Sequence, residues 1–249
     1  MEKRLVRKMK TLINTRLKSG ANETKIKLQT VSNGFTKRTL VICNGEPPSK
    51  KLVQQLARNS DLIVAADGGA NVARTLGIRP DFIIGDLDSI TPATKRFFSS
   101  STLIRVTRQD NTDLEKALDF VLKQKIKHAT IIAATGKRLD HTLGNLSTIW
   151  NYTNSIAITF ISDGWLAVPV GRKKKIQADI GTTVSLLPFG VCSGITLKGL
   201  HYPLNNATMN VGEVGISNVV SGSPFSVEVN KGNMLLLILA DHTSVKLLR

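Results

Sequence analysis

From Thr39 to about residue 155 the chain alternates between two textures, and that alternation limits its possible folds more than any other feature. Segments 39–43 (TLVIC), 62–66 (LIVAA), 82–84, 102–106 and 130–134 (TIIAA) are short, apolar and rich in β-branched residues, as strands covered on both faces are. The intervening segments place their apolar residues at helical spacing. Residues 50–59 set Leu52, Val53 and Leu56 on one face, and 113–127 set Leu114, Ala117, Leu118, Val121 and Leu122 on another. Residues 140–152 form a third such stretch, with Leu143, Leu146 and Trp150 as its stripe. Strands and helices in strict alternation predict an α/β layer built on a mostly parallel sheet.

After Asn154 the helical pattern stops. Segments 156–161, 183–187, 194–197, 225–229 and 234–240 read as strands separated by turn signals such as Asp163-Gly164, Asn205-Asn206 and Lys231-Gly232. This spacing predicts a smaller antiparallel β-sandwich or barrel. The expected organisation is a basic extension over 1–38, an α/β domain over 39–155 and a β-rich domain over 156–249.

Charge is what sets the extension apart. The chain carries 34 Lys+Arg against 18 Asp+Glu, a net of +16, and residues 1–38 hold eleven of those cations with only Glu2 and Glu23. A solvated flexible tail, an organelle transit peptide and an arm touching nucleic acid or membrane all fit such a leader. A secretory signal does not, because no apolar segment follows the charges. The longest apolar run, 234–240, falls well short of the ~18 residues that cross a bilayer. Cys43 and Cys192 supply neither a disulfide framework nor a metal-ligand spacing. A cytoplasmic protein is therefore expected, with organelle import through the leader as the alternative.

The chemistry gathers where predicted strands end, which is where open α/β sheets bind ligands. Asp67-Gly68-Gly69 follows the second strand and opens a helix-like stretch. It is either a tight turn or a backbone cradle for an anion. The third strand runs into Gly85-Asp86-Leu87-Asp88-Ser89, where two neighbouring carboxylates repel unless a cation lies between them. Oxygen donors of this kind suit Mg²⁺. Asp110 and Asp113 stand three apart at a helix start, where capping is an equally good reason for an acid. The last cluster is Thr135-Gly136-Lys137-Arg138-Leu139-Asp140-His141, in which Arg138 can grip phosphate oxygens bidentately. Acids for a metal, glycine turns and basic groups for phosphate describe phosphoryl transfer on a nucleotide. No Walker A or protein-kinase glycine loop is present.

These strings, taken in order, resemble the thiamine pyrophosphokinase family. They are NGE at 44–46, DGGAN at 67–71, PDFIIGDLDS at 80–89, QDNTDLEKAL at 109–118 and TGKRLDHTLGN at 135–145. GLHYPL at 199–204 and GISN at 215–218 resemble that family's β-domain signatures. Lys137 departs from the pattern, standing where many members have glycine, and the leader lies outside the resemblance. The resemblance implies an ATP-binding α/β domain, a β-domain, and a homodimer with thiamine near the subunit interface. It also implies Mg²⁺-dependent transfer of the β,γ-diphosphate of ATP to thiamine. Asp86, Asp88 and Asp110 are the expected metal-organising acids. Asp113 is expected to assist them or take the hydroxyl proton, and Arg138 to offset charge on the transferred group. Asn44, Asp67, Gly68, Gly69, Ser89, Thr112, Thr135, Gly136, Asp140, His141 and Asn145 are expected around the nucleotide. Ser217 and Asn218 are expected at thiamine, with Tyr202 or Trp165 as an aromatic face or as plain core. The rival readings are a same-fold pyrophosphokinase for another primary alcohol, such as a hydroxymethylpterin, and a basic nucleic-acid-binding protein. The second fits poorly, because no aromatic-interleaved basic stripe is present.

Overall fold

The computed structural model describes residues 37–108, 110–213, 215–241 and 244–248. Expectations about the leader, and about Gln109, therefore lie outside the described residues. The first half follows the predicted alternation: β1 Arg38–Ile42, α1 Lys50–Arg58, β2 Leu62–Ala66, α2 Gly69–Leu76, β3 Phe82–Gly85, α3 Pro92–Phe97, β4 Thr102–Arg105, α4 Asp113–Lys123, β5 His128–Ile132 and α5 Leu139–Thr148. The second half is strands alone: β6 Ala157–Ser162, β7 Trp165–Val170, β8 Lys173–Gln177, β9 Thr183–Pro188, β10 Cys192–Lys198, β11 Leu204–Met209, β12 Asn218–Val219, β13 Phe225–Glu228, β14 Met234–Leu239 and β15 Lys246–Leu248.

Two sheets result. The larger has ten strands in the order β12-β9-β14-β7-β6-β5-β1-β2-β3-β4, and the smaller has five in the order β11-β10-β13-β8-β15. From β6 to β4 the larger sheet is parallel, and from β6 outward through β7 it becomes antiparallel. The chain is thus a mostly parallel α/β layer followed by an antiparallel β region, as its pattern predicts, and one continuous sheet runs through both. Alternate residues of β1 serve opposite faces. Leu40 and Ile42 join the core that holds α1, α2 and the inner face of the five-stranded sheet, while Val41 and Cys43 join the core around α4.

Chain order around β1 fixes the place for a site. The chain leaves β1 for β2, β3 and β4 on one side, then returns to lay β5 on the other. Loops leaving β1 and β5 at their carboxyl ends therefore diverge over a crevice, the switch point at which such sheets accept ligands. Pairing continues a few residues beyond the strands, through Gly45 N–H to Ala133 O (2.6 Å) and Glu46 N–H to Thr135 O (2.7 Å), which holds both loops at the rim.

Some elements differ from their sequence pattern for identifiable reasons. β8 reads KKKIQ and has no strand-like composition, yet it pairs with β13 and β15 on either side, so tertiary context outweighs propensity. The third helical stripe is not buried: Leu143 on α5 is 57% exposed. Leu146 and Trp150 only lean on the core.

Candidate active site

The turn out of β2 carries Asp67, which is completely buried and bent into left-handed backbone at φ 40°. Its Oδ2 accepts the Ser89 N–H at 3.3 Å, and its Oδ1 has no hydrogen-bond partner among the described residues. Burial pushes this carboxyl up, and the neighbouring Asp113 and Asp86 add to the effect against the Ser89 hydrogen bond. The residue is held where both its neutral and its charged form are poorly served, unless a cation arrives.

β3 brings the second and third acids. Asp86 is half-buried in the wall of the crevice, and Asp88 is exposed, with Ser89 Oγ–H donating to its Oδ1 at 3.0 Å. One oxygen each from Asp67, Asp86 and Asp88 lies within 4.8 Å of the others. Asn71 fixes this geometry from α2, donating to Ser89 O (2.8 Å) and accepting from the Thr91 N–H (3.1 Å). Gly85 belongs to the same fit, since a Cβ there would stand 2.5 Å from Asp67 Cβ.

The β4–α4 connection supplies two acids that go separate ways. Asp110 is exposed and takes Arg108 through Nε (2.9 Å) and an outer nitrogen (3.1 Å), so it stands outside the three-carboxylate group. Nor does it cap α4. That place belongs to Thr112, whose Oγ1 accepts the Glu115 N–H while Glu115 Oε2 accepts the Thr112 N–H. The capping box sets Asp113 at the start of α4, at the crevice, where Lys116 reaches its Oδ1 at 3.0 Å. Lys116 is buried on α4, and its Nζ also lies 3.7 Å from Asp86 Oδ2. Burial by itself would depress this ammonium. The hydrogen bond to Asp113 and the charges of Asp113, Asp86 and Asp67 outweigh it and hold the group above its usual range.

A pocket of about 460 Å³ opens over the β1/β5 switch point. Cys43 and Asn44 from β1, Thr112 and Asp113 from α4, and Asp140, His141, Gly144 and Asn145 from α5 border it. Asn145 donates to Ala134 O at 2.8 Å, which ties α5 to the end of β5. Burial, with Asp113 nearby, pushes the Cys43 thiol up to about 12, so it packs as a neutral side chain. Thr135, Gly136, Lys137 and Arg138 lie in the connection from β5 to α5 and do not themselves line the pocket. Gly136 at φ 80° lets the loop pass Glu46, where a Cβ would meet another Cβ at 2.6 Å. Lys137 sits in left-handed backbone (φ 56°) and donates to Asn44 O at 3.0 Å. Arg138 is exposed and grips both oxygens of Asp140, whose carboxyl that hydrogen bond lowers to about 2.

Gly68 and Gly69 serve different ends. At Gly68 a Cβ would strike the Asn44 side chain at 2.3 Å, so that glycine makes room for a pocket residue. At Gly69 it would lie 2.0 Å from Ile42 O, so that one allows α2 to pack on β1.

The residues expected at thiamine lie apart from this pocket. Asn218 on β12 is buried, and its side chain is committed to the chain itself: Oδ1 accepts the N–H groups of Tyr202 and Val219, and Nδ2 donates to Tyr202 O. Ser217 is exposed in left-handed backbone (φ 61°), with its N–H on Ser185 Oγ. Tyr202 is 64% exposed, its ring edge-on to His201, whereas Trp165 packs against the core at the start of β7.

Sequence reasoning overlooked Lys116, which lies inside a quoted motif but resembles an ordinary helix cation until its burial is known. It also assigned Asp67 to the nucleotide, whereas the fold sets that residue with Asp86 and Asp88.

Comparison with known proteins gives a consistent result. Residues 53–160 match the family model "Thiamin pyrophosphokinase, catalytic domain", and residues 173–234 match "Thiamin pyrophosphokinase, vitamin B1 binding domain". Thiamine pyrophosphokinase 1 of Oryza sativa subsp. japonica is 30% identical over 190 residues, which cover 64% of this chain and 72% of that protein. The Bacillus subtilis thiamine pyrophosphokinase is 29% identical over 215 residues, covering 82% of this chain and all of that one. The crystal structure of a Bacillus subtilis thiamine pyrophosphokinase superposes with a TM-score of 0.73 at 26% identity, covering 82% of this chain and 100% of its own. That of Candida albicans thiamin pyrophosphokinase shares the fold, with a TM-score of 0.72 at 22% identity and coverage of 83% and 90%.

Proposed function

This chain belongs to the thiamin pyrophosphokinase family, and we propose that it transfers the β,γ-diphosphate of ATP to the primary hydroxyl of thiamine with Mg²⁺, releasing AMP. The observation carrying the reading is the convergence of Asp67, Asp86 and Asp88 beside the switch-point pocket, with one buried Asp67 oxygen unmatched. An all-carboxylate oxygen set fits a hard divalent ion. When bound, Mg²⁺ would offset charge on the polyphosphate oxygens.

The chain's own residues have the remaining tasks. Asn44, Asp140, His141 and Asn145 border the pocket proposed for the nucleotide. Arg138 has an exposed guanidinium paired with Asp140, which borders that pocket, and is suited to take up charge on the transferred group in exchange for Asp140. Asp113, held by Lys116, is the proposed acceptor for the thiamine hydroxyl proton. In-line transfer needs little covalent machinery, so holding the hydroxyl against the phosphorus supplies most of the effect.

Residues 39–155 are read as the nucleotide half and 156–249 as the thiamine half, where the exposed Ser217 and Tyr202 offer contacts and Asn218 braces their loop. β12 stands six strands from β1, roughly 30 Å along a sheet with ~4.8 Å between strands. Thiamine held by Ser217 and Tyr202 is therefore out of reach of the same chain's carboxylates, which favours a homodimer whose site draws on both copies. No helix among the described residues is long and apolar enough to cross a membrane, and a cytoplasmic location is proposed.

AMP formation measured with ATP, Mg²⁺ and thiamine tests the reaction. Activity should require all three and disappear in Asp86→Asn. Equal or greater AMP release with a hydroxymethylpterin would transfer the assignment to the rival substrate. A sedimenting monomer with full activity would remove the dimer.

A further inference from the structure

Lys116 has a side chain that is 3% exposed, a depth at which lysine is almost never found unless paired. A lysine stem normally lets its head reach water. Here the ammonium instead lies 3.0 Å from Asp113 Oδ1 and 3.7 Å from Asp86 Oδ2. Asp86 thus takes part in two arrangements. It joins Asp67 and Asp88 in the three-carboxylate group, and it shares the Lys116 ammonium with Asp113, which is not in that group. These four acids are therefore divided: Asp67, Asp86 and Asp88 converge on a space fit for a metal, and Asp113 is tied back by a cation belonging to the chain.

We propose that Lys116 is a positioning residue standing in for a second metal ion: it holds Asp113 beside Asp86 and limits the nucleotide-free protein to one divalent ion, bound at Asp67, Asp86 and Asp88. The inference rests on reading those three carboxylates as a metal site. A second ion between Asp86 and Asp113 would have to lie against an ammonium that α4 packing holds in place. Removing one unit charge a few ångströms from a divalent ion changes its affinity by ~10-fold or more, even with water-like screening.

The test uses the full chain and Mn²⁺ alone, with free Mn²⁺ followed by electron paramagnetic resonance. The wild type should bind one ion. Lys116→Met, of similar length without the charge, should take up a second ion and hold the first ~10-fold more tightly. Asp113→Asn leaves the ammonium to Asp86 alone, so it should weaken Mn²⁺ several-fold although Asp113 is outside the metal group. The double variant Asp113→Asn/Lys116→Met, which restores the net charge, should return to a single ion. If Lys116→Met does not fold, the Asp113→Asn measurement carries the test. One ion at unchanged affinity in Lys116→Met, unchanged affinity in Asp113→Asn, or two ions in the wild type each overturns the role of Lys116 and leaves the carboxylate site standing. A wild type that binds no Mn²⁺ overturns the site and the inference together.

Discussion

Replacing Asp67 by Asn should make the protein more stable and less active at once. Asp67 is fully buried, one of its oxygens lacks a partner among the described residues, and burial with Asp113 and Asp86 raises its carboxyl. Asparagine has the same shape and tolerates the left-handed φ of 40° as aspartate does. Its oxygen can keep the Ser89 N–H, and its amide can donate toward acids that now repel the carboxylate. Matching one buried polar atom is worth ~1–3 kcal/mol. In a chain of this length that raises the melting temperature by ~2–4 °C per kcal/mol. The pH dependence has a definite sign. A carboxyl raised by folding stabilises the fold below its unfolded pKa, near 3.8, and that stability is lost as pH rises through the folded value. The Asn variant does not titrate, so its advantage should be full at neutral pH and shrink in acid. Differential scanning fluorimetry in EDTA from pH 4 to 8 measures the gap. Repeating it with MgCl₂ should show a metal-dependent rise in the wild type that the variant lacks, and AMP formation should fall by ~10²-fold or more. A variant no more stable than wild type in EDTA, or a gap that ignores pH, would refute the account of Asp67 as a strained acid awaiting a cation.

Gly69→Ala drives a Cβ to 2.0 Å from Ile42 O, and it should cost ~1–3 kcal/mol by overpacking; an unchanged melting temperature would show that the β1–α2 contact yields freely. Thr112→Ala removes the α4 capping box, so stability should fall by ~1 kcal/mol and kcat should fall as Asp113, the proposed proton acceptor, loses its position. Thr112→Ser should restore both, as read by thermal melting and steady-state kinetics. Arg138→Ala should lower kcat by ~10²-fold if its guanidinium offsets transferred charge, and a change confined to KM for thiamine would contradict that role.

The parallel half was legible because each of its strands and longer helices carries its own period. TLVIC, LIVAA and TIIAA announce buried strands, and the stripe from Leu114 to Val121 announces α4. β8, β11 and β12 were not, because KKKIQ, LNNATM and a two-residue strand carry little hydrophobic signal and exist through their partners. The site divided in the same way. Acids at strand ends could be located, since a parallel sheet puts its strand ends together. Which acids converge could not, because that depends on the direction a turn takes after the strand. Leu87 at φ 69° re-aims the chain between Asp86 and Asp88, whereas Asp110 meets Arg108 before it can turn inward. Lys116 was hidden because burial of a helix cation depends on what the helix packs against, not on its own period.

Strain and like charge occur together here, and that pairing connects the fold to its use. Asp67, Leu87, Ala133 and Lys137 all hold left-handed φ in the turns that leave β2, β3 and β5, a conformation that costs a residue with a side chain ~1–2 kcal/mol. Such turns persist only where the surroundings over-determine them. The surroundings are parallel strands registered on one another, β2 and β3 buried throughout, with Asn71 bracing the β3 turn from α2. The same rigidity keeps Asp67, Asp86 and Asp88 from separating as their charges would drive them to. A flexible acidic loop would open until its carboxylates reached water, and it would bind a cation only after closing again. These three are held closed by the core of the sheet, so an arriving cation gains its full attraction without first ordering its ligands. That is why the stabilising change argued for Asp67 and the loss of activity are expected to be one event: the mutual repulsion of the three carboxylates is the part of folding free energy that remains available to bind a cation.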